Sequence, residues 1–158
     1  MPAAKVKSKW RSDGSLAFEE TGSARLILPK ALYSVRTRFT IAQVNAVGGA
    51  TLLPAIAGYK YRMVSATAIA VGGAAAAVTT VDILATLSSS RTLVAFAQAS
   101  LTQSTVLTAG ESGGTVLADG ASYTANDANT AVTVGKTGSD ITTATHIDIL
   151  FDYVLEAA

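Results

Sequence analysis

Apolar and polar residues alternate near the C-terminal end of the chain, over residues 146–155. A period of two is typical of a β-strand with one buried face, whereas a helix repeats about every 3.6 residues. We therefore predict an antiparallel strand here, with its polar face exposed. Its apolar face consists of Ile147, Ile149, Phe151, Tyr153 and Leu155, and its polar face carries His146, Asp148 and Asp152.

Residues 36–45, 59–71 and 79–87 show the same alternation, and we predict that each segment is a strand. In the second segment, we expect the face that begins at Tyr59 to continue without interruption to Val71. The residues expected to share a face are Phe39, Ile41 and Gln43 in the first segment, Tyr59, Tyr61, Met63, Ser65, Thr67, Ile69 and Val71 in the second, and Thr79, Val81, Ile83, Ala85 and Leu87 in the third.

Clusters of glycine and serine separate these segments. Glycine adopts positive φ at little cost, and Asp-Gly is favoured in tight turns. Helix signals are weak, and only residues 74–77 and one short helix within residues 96–107 fit them. Short strands between frequent turns predict an all-β fold, an antiparallel β-sandwich or jelly-roll-like domain. The turn signals are Gly48-Gly49, Gly72-Gly73, Ser88-Ser89-Ser90, Gly113-Gly114, Asp119-Gly120 and Thr137-Gly138.

The N-terminal region differs from the rest in charge. Residues 1–40 carry eight basic and three acidic side chains, a net charge of +5, whereas residues 41–158 carry four and eight, a net charge of −4. We assign residues 1–35 to an extended basic arm with a short hairpin and residues 36–158 to the β-domain. In the arm, we expect a turn at Asp13 and Gly14, then a short strand that residues 24–28 pair with. A basic leader on an acidic body is typical of an arm that binds a negative surface, although a solvated tail has the same composition.

The only tryptophan of the chain lies among cations at the start of the arm. Tryptophan and arginine are frequent among the residues that dominate binding energy at protein interfaces. One aromatic residue is no stacking platform for bases, so we expect no nucleic acid as partner. The candidate partner-binding residues are Lys5, Lys7, Lys9, Trp10 and Arg11.

Residues suited to catalysis are scarce. The chain has no cysteine and a single histidine, His146, which excludes disulfides, thiolate zinc sites and a histidine pair. We predict that His146 is a surface or interface residue. Residues 110–114 (GESGG) match the spacing G-x-S-x-G, but no strand-to-helix turn that would present a serine nucleophile is predicted there. Residues 135–137 (GKT) lack the first glycine of a P-loop because position 130 is Thr. We therefore expect no enzyme activity and no cofactor.

Several carboxylates lie in loops rich in Gly, Asn and Thr. Aspartate commonly bonds its own backbone in such loops, so we predict that Asp119, Asp127 and Asp140 shape turns. A calcium site is the alternative, although the spacing of an EF-hand or RTX repeat is absent. The prediction is that no metal is bound.

Only 15% of the residues are charged and the mean hydropathy is +0.39, against about 25% charged in typical soluble domains. This shortage indicates a surface covered by other copies or by a large assembly. Residues 63–81 contain no charged side chain, and this segment is nearly as long as a membrane-spanning helix, which needs about 20 residues. They contain a glycine pair and neither Leu nor Phe, so no membrane span is predicted. The basic N-terminal residues are not followed by the apolar run of a secretory signal.

Three groups of segments resemble bacteriophage virion proteins, in particular small head decoration (cement) proteins. The first is KWRSDGSLAF at residues 9–18. The second is LLPAIAGYKYRMV at 52–64, with AVGG at 70–73 and TVDI at 80–83. The third is LADG at 117–120, with VGKTG at 134–138 and TATHIDI at 143–149.

The resemblance implies a β-sandwich or jelly-roll body that forms a homotrimer on the outer surface of the capsid. The expected partner is the major capsid protein, which the arm would contact on neighbouring subunits. The protein would be made in the host cytoplasm and reside in the virion. Its role would be structural, because binding only the assembled shell stabilises the shell by mass action.

Other functions stay open at this point. One is a different virion part, such as a head-fibre base or a tail component. Another is a β-module that binds carbohydrate or a host surface, for which five Tyr and one Trp give weak support. A hydrolase with an unrecognised site is the third.

Overall fold

The computed structural model describes residues 31–158 in full, and residues 6–10 and 16–20 by their backbone. The chain divides into two compact units, Met1–Ala31 and Leu32–Ala158, which we call the arm and the body. In the arm, β1 (Val6–Trp10) and β2 (Leu16–Glu20) form an antiparallel pair in which Trp10 lies opposite Leu16. The predicted turn at Asp13 and Gly14 and the predicted strand at 24–28 lie outside the described residues.

The body contains nine strands and little helix. The first strand starts at Leu32, before the predicted boundary at residue 36, because residues 32–35 already pair with the C-terminal strand. The helical segments are α1 (Ile41–Asn45) and a short 3₁₀ segment, Ala118–Tyr123. The strands are β3 (Leu32–Thr40), β4 (Ala50–Leu53), β5 (Tyr59–Val71), β6 (Val78–Thr86), β7 (Ser90–Ala97), β8 (Val106–Thr108), β9 (Gly114–Val116), β10 (Val132–Gly138) and β11 (His146–Ala157).

These strands form two antiparallel sheets. The five-stranded sheet has the order β4-β10-β6-β7-β9, and the four-stranded sheet has the order β3-β11-β5-β8. The predicted all-β sandwich class is therefore confirmed. Neither sheet closes on itself, so the body is a two-layer sandwich and not a barrel.

The strand order is that of a jelly roll. The chain pairs β3 with β11, β4 with β10, β5 with β8 and β6 with β7, so the first half lies antiparallel to the second like one long hairpin. This hairpin is rolled up, because β11 also pairs with β5 and β10 also pairs with β6. Strand β9 adds to this arrangement at the edge beside β7.

The core lies between the two sheets and is built from the apolar faces predicted for β6 and β11. Val81 and Ile83 of β6 are fully buried, as are Ile147, Ile149 and Phe151 of β11. The predicted face of β11 is confirmed, and that of β6 is confirmed from Val81 onwards, because a strand in a sandwich turns alternate residues towards the opposite sheet. Thr79, predicted on the same face of β6, is exposed, because it is an extra residue in the pairing with β10.

The face predicted for the second half of β5 is wrong. On β11, Asp152 pairs with Ser65 and Tyr153 pairs with Met63, so Val64 is an extra residue on β5 without a partner on β11. A bulge of one residue exchanges the two faces of everything beyond it. The residues that face the core beyond the bulge are Ala66, Ala68 and Ala70, whereas Ser65, Thr67, Ile69 and Val71 lie on the opposite face.

The strand predicted over residues 36–45 ends at Thr40, and α1 follows. Thr40 caps this helix, since its hydroxyl accepts a hydrogen bond from the Gln43 amide while the Gln43 side chain accepts one from the Thr40 amide. This capping box stops the strand although the alternation continues. The short helix predicted within residues 96–107 is also wrong, because β7 runs to Ala97 and β8 starts at Val106.

Candidate interaction surface

The face of the four-stranded sheet that points away from the core is the candidate surface, and we call it the outer face. Residues paired across adjacent strands lie on the same face of a sheet. One row crosses all four strands, from Val106 of β8 to Ile69 of β5, Asp148 of β11 and Arg38 of β3. The next row contains Thr108, Thr67, Leu150 and Arg36.

An ion cluster of two arginines and one aspartate lies on the outer face. Arg38 donates from Nε to Asp148 Oδ1 at 2.7 Å and from its Nη2 to Oδ2 at 2.9 Å. Arg36 donates from its Nη2 to Oδ2 of the same carboxylate at 2.8 Å. Asp148 is only 4% exposed, so the prediction that it lies on an exposed polar face is wrong. The long arginine side chains cover it while they remain exposed themselves.

The ion cluster holds the pKa of Asp148 at about 2, below its ordinary value of 3.8. The main cause is the hydrogen bonding from Arg38, which outweighs the opposing effect of burial, and the hydrogen bond from Arg36 adds to it. The pKa of Arg38 is raised by the same contacts. The cluster therefore stabilises the folded body while Asp148 is ionised.

We expect Asp148→Asn to lower the free energy of unfolding at pH 7 and low salt by about 2 kcal/mol. The folded pKa lies below the unfolded one, so this contribution is complete well above pH 3.8 and is lost as the pH falls towards 2. Urea unfolding between pH 7 and pH 2 measures it. Asp152→Asn, on the same face of the same strand, is the control and should change little. An equal loss at both ends of the pH range for Asp148→Asn would contradict the role of the ionised carboxylate.

Apolar side chains share the outer face with the ion cluster. Leu32, Val106 and Leu150 are exposed on the outer face, and they come from β3, β8 and β11. Ile69, Val71 and Val154 lie half-buried on the same face. A face that combines apolar side chains with a few charges is typical of a protein interface.

His146 lies at one end of the outer face, half-buried and paired with Thr40 and Val71. Its Nδ1 is 3.1 Å from the hydroxyl oxygen of Thr145. The interface role predicted for this residue stays a prediction.

The five residues predicted to bind a partner belong to the arm. Lys7, Lys9 and Trp10 lie on β1, where Lys7 pairs with Glu19 and Lys9 with Ala17. Lys5 and Arg11 lie outside the described residues. The role predicted for these five residues stays a prediction.

The loop aspartates predicted to shape turns lie in three different places. Asp127 accepts a hydrogen bond from the Ser88 amide at 2.7 Å. Asp119 has a φ of 55° beside Gly120, which continues the left-handed turn. Asp140 forms an ion pair with Lys136 at 3.0 Å. Within residues 31–158, no three or more His, Asp or Glu residues form a group suited to a metal ion.

Asp82 is a buried carboxylate that sequence reasoning did not single out. It is 2% exposed on β6, and its Oδ2 accepts a hydrogen bond from the Thr137 hydroxyl at 2.7 Å. In the described part of the chain, its Oδ1 has no hydrogen-bond partner. The only signal in the sequence was its place behind the apolar face of β6.

No helix in the described ranges is long and apolar enough to cross a membrane. Comparisons with protein-family models, with curated proteins and with solved structures find no match to this chain.

Proposed function

We propose that this protein is a structural component of a bacteriophage virion that binds the outside of the assembled capsid and stabilises it. The observation that carries the proposal is the outer face, which combines exposed apolar side chains from three strands with an ion cluster around a buried carboxylate. The role needs binding and no catalytic step.

The outer face suits binding to a broad protein surface. Arg36 and Arg38 are fixed by a shared carboxylate, so their position is set before a partner arrives. Preorganised side chains lose less entropy on binding, which leaves more of the contact energy for affinity. Jelly rolls are frequent in viral capsid proteins and in lectin domains, and this fold supports the proposal only as an analogy.

The proposed mechanism is mass action. A protein that binds the expanded shell but not free capsid subunits stabilises the shell by RT ln(1 + [L]/Kd) at each site, about 2.7 kcal/mol at a free concentration of 100 Kd. Many identical sites on one particle then act together against the pressure of packaged DNA. In this proposal the partner is the major capsid protein, the protein is a homotrimer and it resides on the virion surface.

The arm supplies the second contact in this proposal. Lys5, Lys7, Lys9 and Arg11 provide positive charge for acidic patches on the shell, and Trp10 provides an apolar anchor. Strands β3 to β11 pair among themselves without β1 or β2, the two strands that the structure describes in the arm. Removal of the N-terminal residues should therefore leave the body folded.

Co-sedimentation with capsid shells tests the function and the arm together. The probe is a shell of the major capsid protein encoded near this chain, before and after expansion. We expect the full chain to bind expanded shells and not unexpanded ones, and we expect deletion of residues 1–12 to weaken binding at least about tenfold by removing charge and the Trp10 anchor. Circular dichroism checks the fold of the deletion variant. Equal binding by the full chain and the deletion variant would refute the arm contact, and no binding by the full chain would refute the function.

A further inference from the structure

The four-stranded sheet has one long edge. The other edge strands of the two sheets, β4, β8 and β9, have only 4, 3 and 3 residues, whereas β3 has 9. Strand β3 pairs with β11 through nine consecutive positions without a register shift. Among the described residues, no strand pairs with its second edge.

Natural proteins protect sheet edges with short strands, prolines, bulges or charges. Strand β3 has no proline and no bulge, so its only protective feature is the pair Arg36 and Arg38. An edge of this length presents alternate backbone N–H and C=O groups, which an extended segment of another protein can bind by adding a strand.

A second copy of β3 is a poor occupant of this edge. If two copies pair antiparallel over all nine residues, Arg36 of one lies opposite Arg36 of the other. Registers centred on residue 37 or 38 also place arginine opposite arginine. Like charges opposite each other destabilise a strand pair.

The charge of the ion cluster favours an acidic strand. Two guanidinium groups share the single carboxylate of Asp148, which leaves an excess positive charge beside the edge. The side chains of Arg36 and Arg38 are 68% and 54% exposed. In the part of the chain that the structure describes, neither guanidinium has another acceptor. A carboxylate on a neighbouring strand would give the two guanidinium groups a second acceptor.

The opposite face of β3 favours apolar residues in the same partner. Phe39 is buried there, and Val35 packs against the core. A strand added beside β3 would place alternate residues next to these side chains and the residues between them next to the arginines. We propose that the free edge of β3 binds an extended strand of a capsid subunit in which carboxylates alternate with apolar side chains. This inference rests on the proposed function for the source of the strand.

Peptides test the edge without any shell. The probe is a peptide of about the length of β3 in which Val and Glu alternate, and the control is one in which Val and Lys alternate. Calorimetry with the full chain should show the Glu peptide binding at least about tenfold more tightly at low salt, because the Lys peptide places like charges together. Equal affinity of the two peptides, or no binding, would overturn the proposal.

Methylated peptides test whether the contact is a β-strand pair. An added strand directs only every second N–H towards the edge. One Val/Glu peptide is methylated on every odd-numbered backbone nitrogen, and a second is methylated on every even-numbered one. We expect one of these peptides to lose binding and the other to keep it. Loss or retention in both peptides would contradict strand addition.

Protein variants connect the edge to the shell. Arg36→Gln should weaken binding of the Glu peptide and of expanded shells, whereas Arg91→Gln, at an exposed position on β7 of the five-stranded sheet, should change neither. If shells bind Arg36→Gln and the unmodified chain equally, the edge inference is wrong while the proposed function stands. If the Glu peptide binds but the full chain binds no shell, the assignment of the strand to a capsid subunit is wrong.

Discussion

Replacing Phe151 by alanine is expected to lower the free energy of unfolding by about 3–5 kcal/mol. Phe151 is fully buried on β11, the strand that pairs with both β3 and β5. Its partner on β5 is Ala66, and its ring lies 6.0 Å from that of Tyr153. Since a neighbour as small as Ala66 cannot fill the space, the substitution leaves a cavity.

Urea unfolding of the full chain measures this loss. The matched control is Leu150→Ala, because Leu150 is the adjacent residue of β11 on the outer face and is 38% exposed. We expect the control to cost less than about 1 kcal/mol, as for most surface substitutions. Equal losses in the two variants would show that β11 does not have the orientation described.

Replacing Leu150 by glutamate is expected to weaken binding to expanded shells by at least about thirtyfold, or about 2 kcal/mol. Leu150 lies near the centre of the outer face, between Thr67 and Arg36. The substitution removes an apolar contact with the shell, and its carboxylate lies opposite Arg36, where it competes with acidic groups of the shell for the guanidinium.

Ile56→Glu is the control for this variant. Ile56 is 39% exposed, which matches Leu150, but it lies in the loop between β4 and β5 and not on the outer face. Sedimentation with expanded shells should show strong loss for Leu150→Glu and little change for Ile56→Glu. If both variants bind like the unmodified chain, the outer face is not the contact with the shell.

The β-class and the core strands were predictable because their signal is local. In β11 the alternation from Ile147 to Leu155 records directly which residues face the opposite sheet. The same holds from Val81 to Ala85 in β6, which follow the extra residue Thr79. A period of two is sufficient when a strand has one buried face and no bulge.

The faces of β5 were not predictable from hydropathy. Beyond Val64 the larger residues, such as Ile69, lie outside, and alanines such as Ala68 face the core. Alanine fits there because its partners on β11 include Ile149 and Phe151, which occupy the space between the sheets. The choice is made by packing against residues far along the chain, which a local pattern does not contain.

The candidate surface depended on contacts between distant residues. Asp148 and Arg38 are 110 positions apart, so the burial of the carboxylate follows from the pairing of β3 with β11. The sequence showed only an aspartate on the polar face of a strand. The position of β3 at the edge of its sheet, among the strands of residues 31–158, likewise follows from strand order. The capping box at Thr40 and Gln43, in contrast, was a local signal that could have located the end of β3.

Electron cryomicroscopy of expanded shells mixed with the full chain tests the central claim most directly. The proposal predicts trimers of the jelly-roll body on the outside of the shell at three-fold positions, with the outer face of the β3-β11-β5-β8 sheet towards the capsid subunits. Shells without added density, or with the outer face directed to solvent, would contradict it.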